Sequence, residues 1–226
     1  MMKPTSHSRQ LGELMCSVTE QVLWSPALNP LVCRVGSGQA TYHRFDYQSR
    51  QHQITYGARM IAAKHRPETA SGWLSVREIQ QRGYFNGQLS PLNLLAHTCC
   101  HEFAHLLQHS AGQRYRGSVH NRHFYRILDE LHSVGQAEEV RCALRDQVRN
   151  QGLELSTRAF VPVESSAELS HWQPGDTVSF GTRQREIQGR IVRVNRKSCT
   201  VDGTGLSKGM RYRVPAQMLR RVKEPP

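Results

Sequence analysis

Leu11, Leu14, Met15, Val18 and Val22 recur at the i, i+3, i+4, i+7, i+11 spacing of a helix with one buried stripe. The period then shortens to two. "LVCRVG", "TYHRFDY" and "HQITYGARMI" read as strands, and the last two, separated by the polar "QSRQ", as a hairpin. A short helix is predicted over Trp73–Gln81, closed by "RGYFNG". Ser90-Pro91 is a helix start, an N-cap followed by a proline whose missing N–H costs nothing in the first turn. The helix it opens carries Leu94, Leu95, Ala104 and Leu107 towards a core and should end near Gly112.

After the polar loop "SAGQRYRGSV", the stretch "HNRHFYRILDELH" places Phe124, Ile127, Leu128 and Leu131 on one apolar face, and another helix follows from about Ala137 to Asn150. Residues 151–170 show no period and read as a linker. From residue 171 onward, "PGDTVSF", "EIQGRIVRVNRKSCTV" and "MRYRVPAQMLRRV" alternate apolar and polar positions between Gly-, Asp- and Ser-containing turns, the pattern of a small antiparallel barrel. The predicted organisation is therefore α+β: a mixed domain over residues 1–150, a linker over 151–170, and a small all-β module over 171–226. A chain of 226 residues suits one full-sized domain with its own core plus such a module.

Composition narrows the setting. No stretch approaches the roughly 18 consecutive apolar residues of a membrane span, and no apolar segment follows the opening "MMKPTSHSRQ", so a soluble, non-secreted protein is expected. Six cysteines without a C-x-x-C pair suit reduced thiols in a cytoplasm better than a disulfide framework or a zinc ribbon. The net charge of +12 is uneven: from His171 to Pro226, twelve Lys or Arg face four acids, which leaves +4 for the rest of the chain. Such asymmetry points the C-terminal module at a polyanion, most often nucleic acid, with DNA favoured over RNA and association with a nucleoid compatible with it. A solvated basic surface is the plain alternative.

The candidate chemistry lies in "AHTCCHEFAHLLQH", where His101-Glu102-Phe103-Ala104-His105 forms an H-E-x-x-H run. In a helix, residues four apart lie about 40° apart and one turn up, so His101 and His105 can offer two imidazoles to one ion. Glu102 sits about 60° round from His105, near enough to take a proton from water at the metal without being a ligand. Zinc lowers the pKa of its water from about 15.7 towards about 7. Two neutral nitrogens, an open coordination position and a carboxylate base are what that chemistry requires. A third ligand is also needed. The position six residues beyond His105 is Ala111, which removes the metzincin arrangement; Glu130 and Glu138 sit in no matching motif; His120, at the mouth of the next helix, is the better candidate.

"HEFAH" followed by "VHNRHFYRILDEL" resembles the SprT-like family of zinc metallopeptidases, whose pattern is H-E-x-x-H, a variable loop, then H-x-x-x-F opening a helix. The resemblance covers roughly residues 10–150. It implies a zincin-like metallopeptidase domain, with His101, His105 and His120 as zinc ligands and Glu102 as general base. It departs from the family at Asn121, where glycine is frequent, and in lacking the C-terminal cysteine zinc ribbon of many bacterial members. The segment 171–226 resembles SH3-like and KOW-type barrels, with G-D-x-V at Gly175, a strand around Gly189 and Val194, and a "VPAQML" turn.

Other residues have less defined readings. His97 and His109 continue the four-residue stripe, but each turn carries them too far for the same ion, and they read as packing or surface residues. Cys99 and Cys100 read as small buried apolar groups. Tyr115, Tyr125 and His123 are candidates for the donor that peptide hydrolysis needs beside the developing oxyanion, with no spacing rule to choose among them. "QITYGARM" is either an edge strand that holds an extended substrate or an ordinary internal one. In the basic module, Arg193, Arg196, Lys197, Arg211, Arg213, Arg220 and Arg221 are candidates to follow phosphates, with Tyr212 or Trp172 for stacking.

The function expected is a zinc-dependent endopeptidase acting on protein substrates on or near nucleic acid, as the resemblance to family members that cleave DNA–protein crosslinks implies. The alternative is a non-catalytic nucleic-acid-binding adaptor with a structural zinc, which would have no need of Glu102. A metal-dependent nuclease is disfavoured, since phosphodiester cleavage favours carboxylate-rich two-metal sites.

Overall fold

The computed structural model describes residues 6–115, 118–162, 171–182, 185–195 and 198–222. The chain divides between residues 162 and 163 into two units, with mixed α+β structure in the first and a sheet in the second. No helix among the described residues is long and apolar enough to cross a membrane.

The first amphipathic stretch forms α1 (Ser6–Val18), which buries Leu11, Leu14, Met15 and Val18. It runs into a π-helical turn over Thr19–Leu23. That turn holds one extra residue, so the apolar stripe slips: Leu23 is buried, whereas Val22, predicted for the stripe, is only half-buried. Thr19 occupies the slip, its hydroxyl donating to Met15 O (2.7 Å) and accepting from the buried Tyr56 hydroxyl (2.7 Å).

Three strands follow, β1 (Leu31–Gly36), β2 (Tyr42–Asp46) and β3 (Gln51–Gly57), in the spatial order β1-β3-β2. The expected hairpin is present, with β2 antiparallel to β3, while β1 runs parallel to β3 on its other side. One open alternative is decided for the internal strand, and one reading is corrected. "QITYG" is the central strand, so the edges are β1 and β2, and of these β2 lies at the helix over Pro91–Ser110. "ARMI" leaves the sheet as α2 (Ala58–Ala63), because pairing stops at Gly36↔Gly57. A Cβ on Gly57 would lie 2.6 Å from Gly38 O, so the chain passes too close there to carry a side chain.

Helices α3 (Pro67–Ala70) and α4 (Leu74–Arg82) lead to α5 (Pro91–Ser110). Nearly every residue of α5 from Pro91 to Leu106 is buried, among α1, α4, the sheet, α6 (Arg122–Ser133) and α7 (Gln136–Asn150). Its start is as predicted, with Ser90 Oγ accepting from Asn93 N (3.1 Å). The first part of the predicted linker instead lies along this unit. Ser156 O accepts from Leu92 N (3.2 Å), one of the donors a helix start leaves unpaired, and Leu153, Leu155 and Phe160 pack on the core. Residues 163–170 fall outside the described set.

In the second unit, β4 (Thr177–Thr182), β5 (Arg185–Val194), β6 (Ser198–Gly203), β7 (Arg211–Pro215) and β8 (Arg220–Arg221) form an antiparallel sheet in the order β7-β6-β5-β4-β8. Val178, Ile191, Cys199, Val201 and Val214 lie in its core. Gly189 lets β5 approach β6, since a Cβ there would sit 2.5 Å from Asp202 O.

Replacing Ser90 with Ala should lower stability by about 1 kcal/mol, read as a shift in the denaturant midpoint at unchanged slope.

Candidate metal centre and flanking cavity

The burial of α5 faces His101, Glu102 and His105 inward from one helix. A second connection brings in His120. Gln108, fully buried on α5, donates through Nε2 to Val119 O (3.0 Å) and to Asn121 Oδ1 (3.1 Å). Asn121 caps α6, accepting from His123 N (3.0 Å) and Phe124 N (3.1 Å), and its Nδ2 donates to Gln113 O (3.2 Å). The loop end that carries His120 is therefore tied to α5 on one side and to α6 on the other. Phe124 lies against all three imidazoles, with ring centroids 4.9 Å from His101, 4.3 Å from His105 and 4.9 Å from His120. This is what the H-x-x-x-F spacing accomplishes: the phenylalanine, one turn along, is the apolar floor under the histidines.

His120 Nε2 lies 3.1 Å from His101 Nε2 and 3.1 Å from His105 Nε2. Hydrogen bonds do not account for this. His101 Nδ1–H donates to Glu78 Oε2 (3.0 Å) and His105 Nδ1–H to Gln108 Oε1 (3.4 Å), so in the neutral rings both Nε2 atoms are bare lone pairs. A single N–H on His120 satisfies at most one of them. Three converging imidazole nitrogens are the donor set of a divalent ion such as zinc. Burial depresses the basicity of His105 to about 3 and also lowers that of His120, which keeps both rings neutral and able to ligate.

Glu78, on α4, was not singled out from sequence, where it reads as one more polar position of "LSVREIQQR". It is buried, and Oε2 also accepts from His97 Nε2–H (2.9 Å), whose Nδ1 accepts from His132 Nε2–H (3.1 Å). His132 stacks on Tyr84 at 3.7 Å, and Tyr84 donates to Asp129 Oδ1 (2.6 Å), which also holds Arg82. Burial works against the Glu78 charge, but hydrogen bonds from His101 and His97 outweigh it and hold the carboxyl well below its ordinary range. Glu78 thus fixes the tautomer and ring plane of His101, the role a carboxylate plays behind a metal-bound histidine. His97 belongs to this support and is not aimed at the three-nitrogen point.

Glu102 is buried with Oε2 unpartnered, and burial pushes its pKa up against the pull of His101, Lys64 and Arg114. It lines a cavity of about 330 Å3 together with the three histidines, Tyr42 and His43 of β2, Lys64 and Arg114.

No protein-family model, curated protein or solved structure matches this chain.

Among the donor candidates, Tyr115 is 56% exposed, Tyr125 lies under the Arg82 guanidinium (3.9 Å), and His123 faces Tyr115; none of the three lines the cavity. Arg114 does, and sequence reading passed over it as a loop cation. One of its N–H groups donates to His43 Nδ1 (2.9 Å). The chain continues with His43 Nε2–H to His52 Nδ1 (2.9 Å), His52 Nε2–H to Ser110 Oγ (3.3 Å), and Ser110 O–H to Leu106 O (3.1 Å). Each link has one donor and one acceptor only if both histidines are neutral. His109, predicted as packing or surface, packs on Phe45 at 4.6 Å.

In the second unit, pairing across the sheet places Arg190 and Arg211 on either side of Asp202, and Arg193 and Arg213 on either side of Thr200. Arg220, opposite Ser179, shares that face, and all five arginines are exposed. An irregularity at Val192 returns Arg193 to the face that alternation would otherwise deny it. Two expectations change. Arg221 sits opposite the buried Val178 and turns to His171 O (2.8 Å), away from the other arginines. Trp172 and Tyr212 pack on the core, so neither stacking candidate lies on the arginine face. Arg196 and Lys197 lie outside the described residues. Arg211 pairs with Asp202 (2.6 Å) and Arg220 with Glu186 (2.8 Å), exposed pairs that solvent screens and that are open to exchange.

Glu78→Gln should weaken the binding of a divalent ion such as zinc by about 10- to 100-fold, measured by competition with a chromogenic chelator. The neutral histidine chain sets a pH dependence for the metal-free protein. Burial lowers His43 from 6.5 to about 2 and His52 to about 4, so below pH ~6.5 the unfolded chain binds more protons than the folded one. Stability should therefore be full above that pH and fall as pH drops towards 4, with a shallower fall in His52→Leu, as read from melting temperatures.

Proposed function

We propose that this protein is a zinc-dependent endopeptidase of SprT-like, zincin-like build, with a second, SH3- or KOW-like unit that holds it on nucleic acid. The observation that carries the reading is the convergence of three histidine Nε2 atoms beside a buried carboxylate with an unpartnered oxygen, on the wall of an open cavity. A bound zinc ion supplies the Lewis acidity that amide hydrolysis requires.

The chain's own residues divide the remaining work. Glu102 takes the proton of the attacking water and returns it to the leaving amine, a role favoured by a pKa raised through burial. Arg114 replaces the tyrosines as the donor to the carbonyl oxygen on which charge develops, held in place by the His43–His52–Ser110 chain. The edge of β2, with Tyr42 and His43 at the cavity, suits an extended substrate added main chain to main chain.

The arginine face on β5, β6, β7 and β8 supports a polyanion partner, with DNA favoured over RNA. Among the described residues no aromatic lies on that face, so the contact is to phosphates rather than bases, and affinity should depend steeply on salt and little on sequence. Proteins attached to or assembled on the nucleic acid are the substrates, DNA–protein crosslinks among them. The adaptor with a structural zinc is the second reading; the buried, unpaired Glu102 is costly in a site with no chemistry for it to perform.

Glu102→Gln should retain one equivalent of zinc and lose casein or histone cleavage by at least about 100-fold, whereas His120→Ala should lose most of both. Metal analysis and cleavage assays with and without single- and double-stranded DNA test this. Full-rate cleavage by the glutamine variant would reject the mechanism.

A further inference from the structure

The cavity extends past the metal centre to a charged group that hydrolysis does not use. Lys64, at the end of α2, is 3% exposed, and its Nζ donates to Thr98 Oγ1 (2.5 Å). Thr98 passes its own proton to Leu94 O (2.6 Å), so its oxygen is free to accept from the ammonium. Among the described residues no carboxylate forms an ion pair with Lys64, which leaves two of its three N–H donors without an acceptor. The Trp73 ring, 5.6 Å away, offers only a π face.

A buried ammonium with unfilled donors is costly unless something completes it. Its charge survives at neutral pH: burial lowers its pKa to about 8, opposed by the charges of Glu102 and Glu78. Its place is also defined. Thr98 stands one helical turn before Glu102 on the same face of α5, so Lys64 lies on the Glu102 side of the metal centre, away from His105 and His120. Met60, Trp73 and Leu74 line the same cavity and give it an apolar wall.

We propose that this end of the cavity is a specificity subsite for an acidic side chain of the substrate, with Lys64 as the counter-charge and Met60, Trp73 and Leu74 against its methylene stem. The assignment of the ligand to a peptide rests on the endopeptidase reading. A side chain next to the scissile bond reaches Lys64 while the main chain lies along β2. The incoming carboxylate accepts the two open N–H donors, and Thr98 keeps the third.

The test uses the metal-free full chain, in which Glu102 stays in place and no cleavage occurs, and two blocked hexapeptides, acetyl-Ala-Ala-Ala-X-Ala-Ala-amide with X as Glu or Gln, titrated calorimetrically. The Glu peptide should bind roughly 10- to 100-fold more tightly than its Gln counterpart, and Lys64→Met added to the same protein should abolish that ratio. Equal affinities in the Lys64-containing protein would overturn the subsite without reliance on any change at Lys64. A ratio that survives Lys64→Met would overturn it as well. Hydrolysis of the Glu peptide by wild type is read separately. Selective binding without hydrolysis would reject the endopeptidase reading and leave the subsite standing, while hydrolysis of both peptides at one rate with equal affinities would do the reverse.

Discussion

Two imidazoles on α5, His101 and His105, have each given their one proton to a partner behind them, Glu78 and Gln108, and turn bare nitrogens on a third ring, His120. Much of the first unit is arranged around that repulsive convergence. Gln108 and Asn121 hold the loop that brings His120 in, Phe124 supports the rings, and the Arg82–Asp129–Tyr84–His132 assembly ties α4 to α6 behind Glu78. Lone pairs face to face are unfavourable without a cation between them. The convergence therefore points to a metal ion as the group that would complete it.

Around the centre, buried polar groups are arranged so that charge is either compensated or left available. Glu78 is compensated by two histidine donors. The His43–His52–Ser110 chain is satisfied only in one tautomeric order, and through it a loop arginine is steadied against the edge strand. Glu102 and Lys64 are both left incompletely paired, and both line the same cavity. Buried groups left so at a cavity wall are placed to meet a ligand.

The second unit works by a different physics. Its small core leaves the other face of the sheet to solvent, and that face carries arginines on neighbouring strands with two acids among them. Among the described residues that face carries no aromatic ring.

Local periodicity was enough to identify α1, α5, α6, α7 and the β2–β3 hairpin, because amphipathic spacing and capping act between residues a few positions apart. The H-E-x-x-H run and the following H-x-x-x-F were legible for the same reason: helix geometry alone puts two histidines and a carboxylate on neighbouring faces. What no local rule contained was the company these residues keep. Glu78, Lys64 and Arg114 come from α4, the end of α2 and a loop, each unremarkable in its own window, and they acquire roles only when packing brings them beside α5. Likewise, the π turn that moved Leu23 inward, the central place of β3 and the turn of Arg221 away from its neighbours were decided by competition among packed elements. The sequence by itself determined which residues were able to ligate and to accept a proton, since those capacities are intrinsic to side chains and helical spacing. Tertiary structure alone decided which of them are desolvated, which are paired and which face the cavity, because burial and partnership depend on segments far apart in the chain.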